Sequence, residues 1–186
     1  MTALLLMLLA AEPVDLSPAE RKQAIETFKV RGEWIHPAVI QEFLPWLSDH
    51  DRPIVRSIDV AAALETNRYF DEVKTGPSGA KVERGDEGFI AYEWLGRTPS
   101  GLHVVVIRLA TGGSGVFTSL GVFRLTDVES LAADGKPYRS LVLSIVRIVS
   151  LGDRVTPKLS IKGNVVSGTV ECTLPFCTST TLRVSL

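Results

Sequence analysis

The sequence predicts a mainly β protein of the α+β class: short N-terminal helices followed by an antiparallel β-barrel or β-sandwich of about 7–9 strands. Three observations predict it. From Tyr69 onward apolar residues recur with a period of two, whereas before Asn67 they recur at helical spacing. The segments after Tyr69 are joined by short turns rich in Gly, Pro, Asp and Asn, too short for crossover helices, so neighbouring strands pair antiparallel. Finally, 186 residues of which 45% are hydrophobic can bury one core without a metal or a partner. One domain over 12–186 is expected, with a helical front over 17–67 and a β body over 69–186.

Residues 1–11 read as a signal peptide. Ala3 to Ala11 (ALLLMLLAA) is an uncharged apolar run ending in small residues and followed by Glu12-Pro13. It is far shorter than the about 20 residues a membrane-spanning helix needs, and it suits the apolar region of a secretory leader. Met1-Thr2 supplies no Lys or Arg, so either the α-amino group alone provides the positive start or the true start lies upstream. The competing reading is a buried apolar segment. Export predicts a periplasmic or secreted bacterial protein with no transmembrane segment after cleavage.

Ser17-Pro18-Ala19-Glu20 has the form of a capping box with proline at the first helical position. The spacing predicts a helix to about Lys29, with Ala24, Ile25 and Phe28 inward and Gly32 as the breaker. His36-Pro37 opens a second short helix with Ile40, Phe43, Leu44 and Leu47 at helical spacing, ended or kinked by Pro45. Asp59 can cap a third over Val60 to Asn67, although Ile54 to Val60 also alternates like a strand. The strands follow: 69–74, 81–84, 89–97, 102–110, 116–125, 138–151, 158–161, 165–171 and 178–185. The segment 138–151 is apolar on both faces through Leu141, Val142, Leu143, Ile145 and Val146, which predicts the central strand. The helices are expected to cap an open end or lie across one face.

Cys172 and Cys177 enclose Thr173-Leu174-Pro175-Phe176 between two alternating segments, so a hairpin would bring them opposite each other. A disulfide there contributes roughly 2 kcal/mol, pinning register more than holding the fold. A redox pair wants two intervening residues, and zinc wants two further ligands at a suitable spacing. The disulfide is the better reading, and it agrees with export.

The 20 basic and 21 acidic residues are dispersed, giving a formal charge of −1 without a basic stripe, so no nucleic-acid partner is expected. No cofactor fingerprint is present. Gly112-Gly113-Ser114-Gly115 lacks the helix that a phosphate cradle requires and reads as a hairpin turn. Ser78-Gly79-Ala80-Lys81 has Ser-x-x-Lys spacing, but in a turn rather than on a helix. His103 alternates in phase with Val105, Ile107 and Leu109 and is expected on an apolar strand face. Trp34, Trp46 and Trp94, with Arg68 and His103, are the candidates for lining a ligand pocket; the tryptophans could equally seal the core. No metal site is expected, and His36 and His50 with Asp49 or Asp51 would supply one if it existed. The expected function is binding of a protein partner or a small apolar ligand in the cell envelope. The alternative is a small secreted hydrolase drawing acid–base residues from His36, His50, Asp49, Asp51 and Glu93.

Overall fold

The computed structural model describes residues 16–44, 55–65, 71–132, 134–174 and 178–186. The signal-peptide expectation, Pro45, Trp46, Asp49, His50, Asp51, Arg68 and Cys177 therefore lie outside the described residues.

The helical front begins as its capping signals require. Helix α1 (Pro18–Thr27) has a complete capping box: the Glu20 amide donates to Ser17 Oγ at 3.2 Å, and the Ser17 amide donates to Glu20 Oε2 at 2.7 Å. It ends before Lys29. Phe28 takes a left-handed conformation (φ 60°) and caps the helix, its N–H donating to the Ala24 carbonyl. The predicted last turn is instead a small hairpin of β1 (Lys29–Val30) and β2 (Glu33–Trp34). Arg31 and Gly32, both at positive φ, make its two-residue turn. The early stop buries Phe28, Val30 and Trp34 together against the sheet, which a continued helix would distribute around its axis.

Helix α2 (Pro37–Gln41) is capped by His36, whose Nδ1 accepts from the Ala38 amide at 3.1 Å, and Pro37 occupies the first turn. Both readings of the next segment hold. β3 (Ser57–Asp59) runs into α3 (Val60–Glu65), and Asp59 Oδ1 accepts from the Ala61 and Ala62 amides.

The body is antiparallel throughout. β4 (Val73–Thr75), β5 (Gly79–Glu83), β6 (Phe89–Arg97), β7 (Leu102–Ala110), β8 (Phe117–Leu131) and β9 (Pro137–Asp153) join β3 in a seven-stranded sheet ordered β3-β9-β8-β7-β6-β5-β4. Bulges at Trp94/Gly96, Thr118/Ser119 and Val122/Phe123 break the register and curl this sheet into a half-barrel. β10 (Val155–Lys162), β11 (Val165–Cys172) and β12 (Thr180–Ser185) form a separate three-stranded sheet. Arg154, left-handed at φ 50°, makes the corner between the two sheets.

The expectation that 138–151 is the central strand is corrected. β7 is central, and its residues Leu102 to Ile107 are all buried. β9 lies next to the edge, flanked outside only by the three residues of β3. It is apolar on both faces because it is long: part of it lies under the helices and part against the second sheet. Val146, 51% exposed, marks a stretch that neither covers.

The alternation along β7 divides the interior. His103, Val105, Ile107 and Leu109 face the helices, where Phe28, Ile40, Phe43, Phe123 and Leu143 complete the main core. Val104 faces the other way and packs with Leu120, Val166 and Val184 beneath the second sheet. The helices therefore lie across one face of the curled sheet. Gly88 supports its edge at φ 97°, where a Cβ would sit 2.1 Å from the Ala110 carbonyl oxygen. Among the described residues, no helix is long and apolar enough to cross a membrane.

Candidate functional site

Of the predicted tryptophans, the two described ones go to the core: Trp34 is buried in it and Trp94 is packed against it. Trp34 is 6% exposed, its ring lies 5.9 Å from Trp94 and 6.4 Å from Tyr92, and its indole N–H donates to the Gly76 carbonyl at 2.9 Å. Tyr92 donates its hydroxyl to the Ile35 carbonyl at 2.6 Å, and burial pushes its pKa up. Strand alternation then sends Glu93 to the opposite face of the sheet, away from Tyr92 and the helical front that holds His36. The two described members of the acid–base set thus lie on different sides of a sheet. His36 is a buried helix cap. Burial pushes its pKa down, partly opposed by Asp71. Among the described residues there is no group of three His, Cys, Asp or Glu that could hold a metal ion.

His103 is fully buried, as its strand phase predicts. Its ring lies 4.9 Å from Phe28, and its Nδ1 accepts the Trp94 indole N–H at 3.3 Å. An indole N–H can only donate, so Nδ1 is unprotonated and the proton of the neutral ring sits on Nε2. Burial brings its pKa from the ordinary 6.5 to about 4; the nearby Arg97 guanidinium adds to the fall and the Ile25 backbone opposes it. Arg97 is its direct cross-strand partner.

Arg97 opens onto a cleft of about 390 Å³ at this end of the sheet. Five elements build it: α1 supplies Ile25, β6 Arg97, the β6–β7 turn Ser100 and Gly101, β8 the run Arg124 to Asp127, and β9 Arg139. The turn is held from inside. Thr98 Oγ1 accepts the Leu102 amide at 3.0 Å and lies 2.9 Å from Ser100 Oγ, and the Gly101 amide donates to the Thr98 carbonyl at 2.9 Å. Asn164 Oδ1 accepts the Ser100 amide at 3.3 Å and ties the turn to the second sheet. Gly101 sits at φ 84°, which favours glycine, and the Arg97 guanidinium packs over it, with Nη2 3.1 Å from where a Cβ would stand.

The charges in the cleft are not balanced. Asp127 is engaged by Arg139 through two contacts of 2.9 Å and by Arg21 at 3.2 Å, and Arg139 holds its carboxyl below the usual carboxylate range. Arg97 and Arg124 have neither an ion pair nor a hydrogen bond among the described residues. Glu129, opposite Arg139 on β9, is the other carboxylate nearby. Arg97 and Arg139 thus face the cleft with Asp127, while strand alternation turns Arg124, paired with Leu102, to the opposite face of the sheet. A second, shallower cleft of about 270 Å³ is lined by Lys74, Lys81 and Glu93. There Lys74 and Lys81 both bind Glu83, whose carboxyl is brought down to about 2, so its cations are already engaged.

Sequence reading missed Arg97, Arg124 and Arg139. They are far apart along the chain and form no local motif; the strand register places Arg97 and Arg139 on the helix-bearing face and Arg124 on the other. The one local signal was an arginine placed two residues before the Pro99-Ser100-Gly101 turn. No protein-family model, no curated protein and no solved structure matches this chain, so its site is read from its own chemistry.

Proposed function

We propose that the chain is an exported protein of the bacterial cell envelope that acts by binding, and that the arginine-lined cleft is its recognition surface. The observation that carries this reading is the cleft on the helix-bearing face, onto which Arg97, without an ion pair or hydrogen bond among the described residues, opens beside an internally bonded turn. Binding residues placed on rigid elements keep their geometry without a ligand, which lowers the ordering cost of recognition. Export is supported by the apolar run Ala3 to Ala11 and by the four-residue spacing of Cys172 and Cys177. Among the described residues there is no free cysteine.

The test has two parts. Fractionation of the native host followed by N-terminal sequencing should place the chain outside the cytoplasm, beginning near Glu12, with both thiols protected from alkylation. A cytoplasmic chain beginning at Met1 with two reactive thiols would refute export. Capture from the envelope with the wild-type chain and with an Arg97→Gln variant should recover a ligand with the wild type alone.

A further inference from the structure

We propose that the cleft is the closed end of a strand-addition groove: the free edge of β8 takes the C-terminal segment of a partner polypeptide, running antiparallel to β8 and ending at the β6–β7 turn. This rests on the reading of the cleft as the recognition surface and names the chemistry of the partner. β7 begins at Leu102, opposite Arg124, whereas β8 continues to Leu131 with β9 along its other edge. Residues 125–131 therefore have a free edge in line with β7, about 20 Å long at the rise of a strand. That length pairs with about six residues of a partner.

The ladder fixes which backbone groups line this edge. A strand residue turns its N–H and C=O to one side, and the next residue turns them to the other. Leu102 bonds on the β6 side, to Thr98, so His103 bonds on the β8 side, to Phe123. Leu125, Asp127, Glu129 and Leu131 then point the same way as Phe123, into the space beyond the start of β7. The β9 side agrees. Leu131 lies opposite Pro137, which has no N–H to give, and the Ile145 amide, opposite Phe123, donates outward to the Arg56 carbonyl. Among the described residues, the Asp127 carbonyl accepts from Arg139 Nη2 at 3.4 Å, and Leu125, Glu129 and Leu131 have no hydrogen bond along this edge. Glu129 is exposed and Leu131 is 71% exposed, so the row is open. Unpaired N–H and C=O groups in a row are a template for an extended chain. β10, at an edge of the second sheet, is guarded by Pro157, Lys158 and Lys162; residues 125–131 carry neither proline nor lysine.

Charge and direction select the occupant. A strand antiparallel to β8 keeps the direction of β7, so its C-terminal end meets Leu102, which already holds the next place in the sheet. The chain ends there, with its α-carboxylate beside Arg97 over Gly101 on one face and Arg124 flanking the same end from the other. Both guanidiniums are exposed and have no ion pair among the described residues. A parallel strand would bring a cationic chain start to the same place. A second copy is disfavoured, because only alternate residues face outward. Two copies pairing through this edge, centred on Asp127, Val128 or Glu129, would set carboxylate against carboxylate.

Selection of random hexapeptides with free C-termini on the purified chain, followed by fluorescence anisotropy of those recovered, tests this. Binding should fall at least about tenfold in Glu129→Pro, with unchanged circular dichroism, because proline removes an outward N–H but no bond to β9. Methylating the peptide amides one at a time should abolish binding at alternate residues only, the mark of a strand paired along one edge. Amidating the peptide C-terminus should weaken binding about tenfold in the wild type and no further in Arg97→Gln. No recovered binder, binding that Glu129→Pro retains, methylation without the alternate pattern, or equal binding of acid and amide overturns the proposal. A wild-type dimer that Glu129→Pro dissociates would overturn it by giving the edge to a second copy. An envelope ligand lost in Arg97→Gln but kept in Glu129→Pro would overturn it too, while leaving the cleft as the recognition surface.

Discussion

Lowering the pH from 7 towards 4 should destabilise the fold through one identifiable group, His103. In the unfolded chain a histidine protonates near pH 6.5, whereas in the folded chain His103 stays neutral down to about pH 4. Between those values the unfolded state binds more protons, so stability falls as pH falls. The contribution is fully present above pH 6.5 and gone by about pH 4. A shift from 6.5 to about 4 is equivalent to about 3 kcal/mol, and the complete burial of the ring means that solvent does not screen it. That is a large share of the about 5–15 kcal/mol of a typical domain. The chemistry has a second cause: a protonated Nδ1 would donate towards the Trp94 indole N–H, turning a hydrogen bond into a clash of two donors. His103→Gln keeps an acceptor for Trp94 and removes the titration. Urea denaturation followed by circular dichroism at pH 7 and pH 4.5 gives the comparison. His36, also lowered by burial, acts with the same sign in both proteins and cancels in the difference. At pH 7 the variant should be less stable by about 1 kcal/mol through loss of the Phe28 ring contact. Between pH 7 and 4.5 the wild type should lose about 2 kcal/mol more than the variant. Equal losses would mean that His103 is not held neutral, and the account of this part of the core would be wrong.

Three further outcomes test the fold and the cleft. Gly88→Ala should cost about 2 kcal/mol or more, read as a lowered thermal midpoint, because the new Cβ meets the Ala110 carbonyl oxygen at a positive φ; an unchanged midpoint would refute that packing. Asp127→Asn should destabilise by about 1–2 kcal/mol by leaving the mostly buried Arg21 without its carboxylate. Ser17→Ala should lower stability by about 1 kcal/mol through loss of the α1 cap, measured by the shift in urea midpoint.

The alternation of apolar residues from Phe89 to Ala110 by itself determined two strand boundaries, the antiparallel pairing and the inward direction of His103. The capping signals at Ser17, His36 and Asp59 determined where three helices start. These features are local: a cap depends on residues three or four positions away, and strand phase depends on a period of two. Helix ends were less legible. α1 stops at Thr27 because Phe28 and the hairpin after it gain more by packing on the sheet than by adding a turn. Strand order belonged to the tertiary structure as well. An apolar strand reads the same whether it is central or passes beneath two different layers, and only the corner at Arg154 shows that β9 hands the chain to a second sheet. The cleft was the least legible feature. Arg97, Arg124 and Arg139 are unremarkable surface arginines in sequence, and whether each meets a carboxylate or solvent depends on cross-strand register over more than forty residues. Local pattern therefore determined which segments are strands, and long-range pairing decided which charges were left without partners.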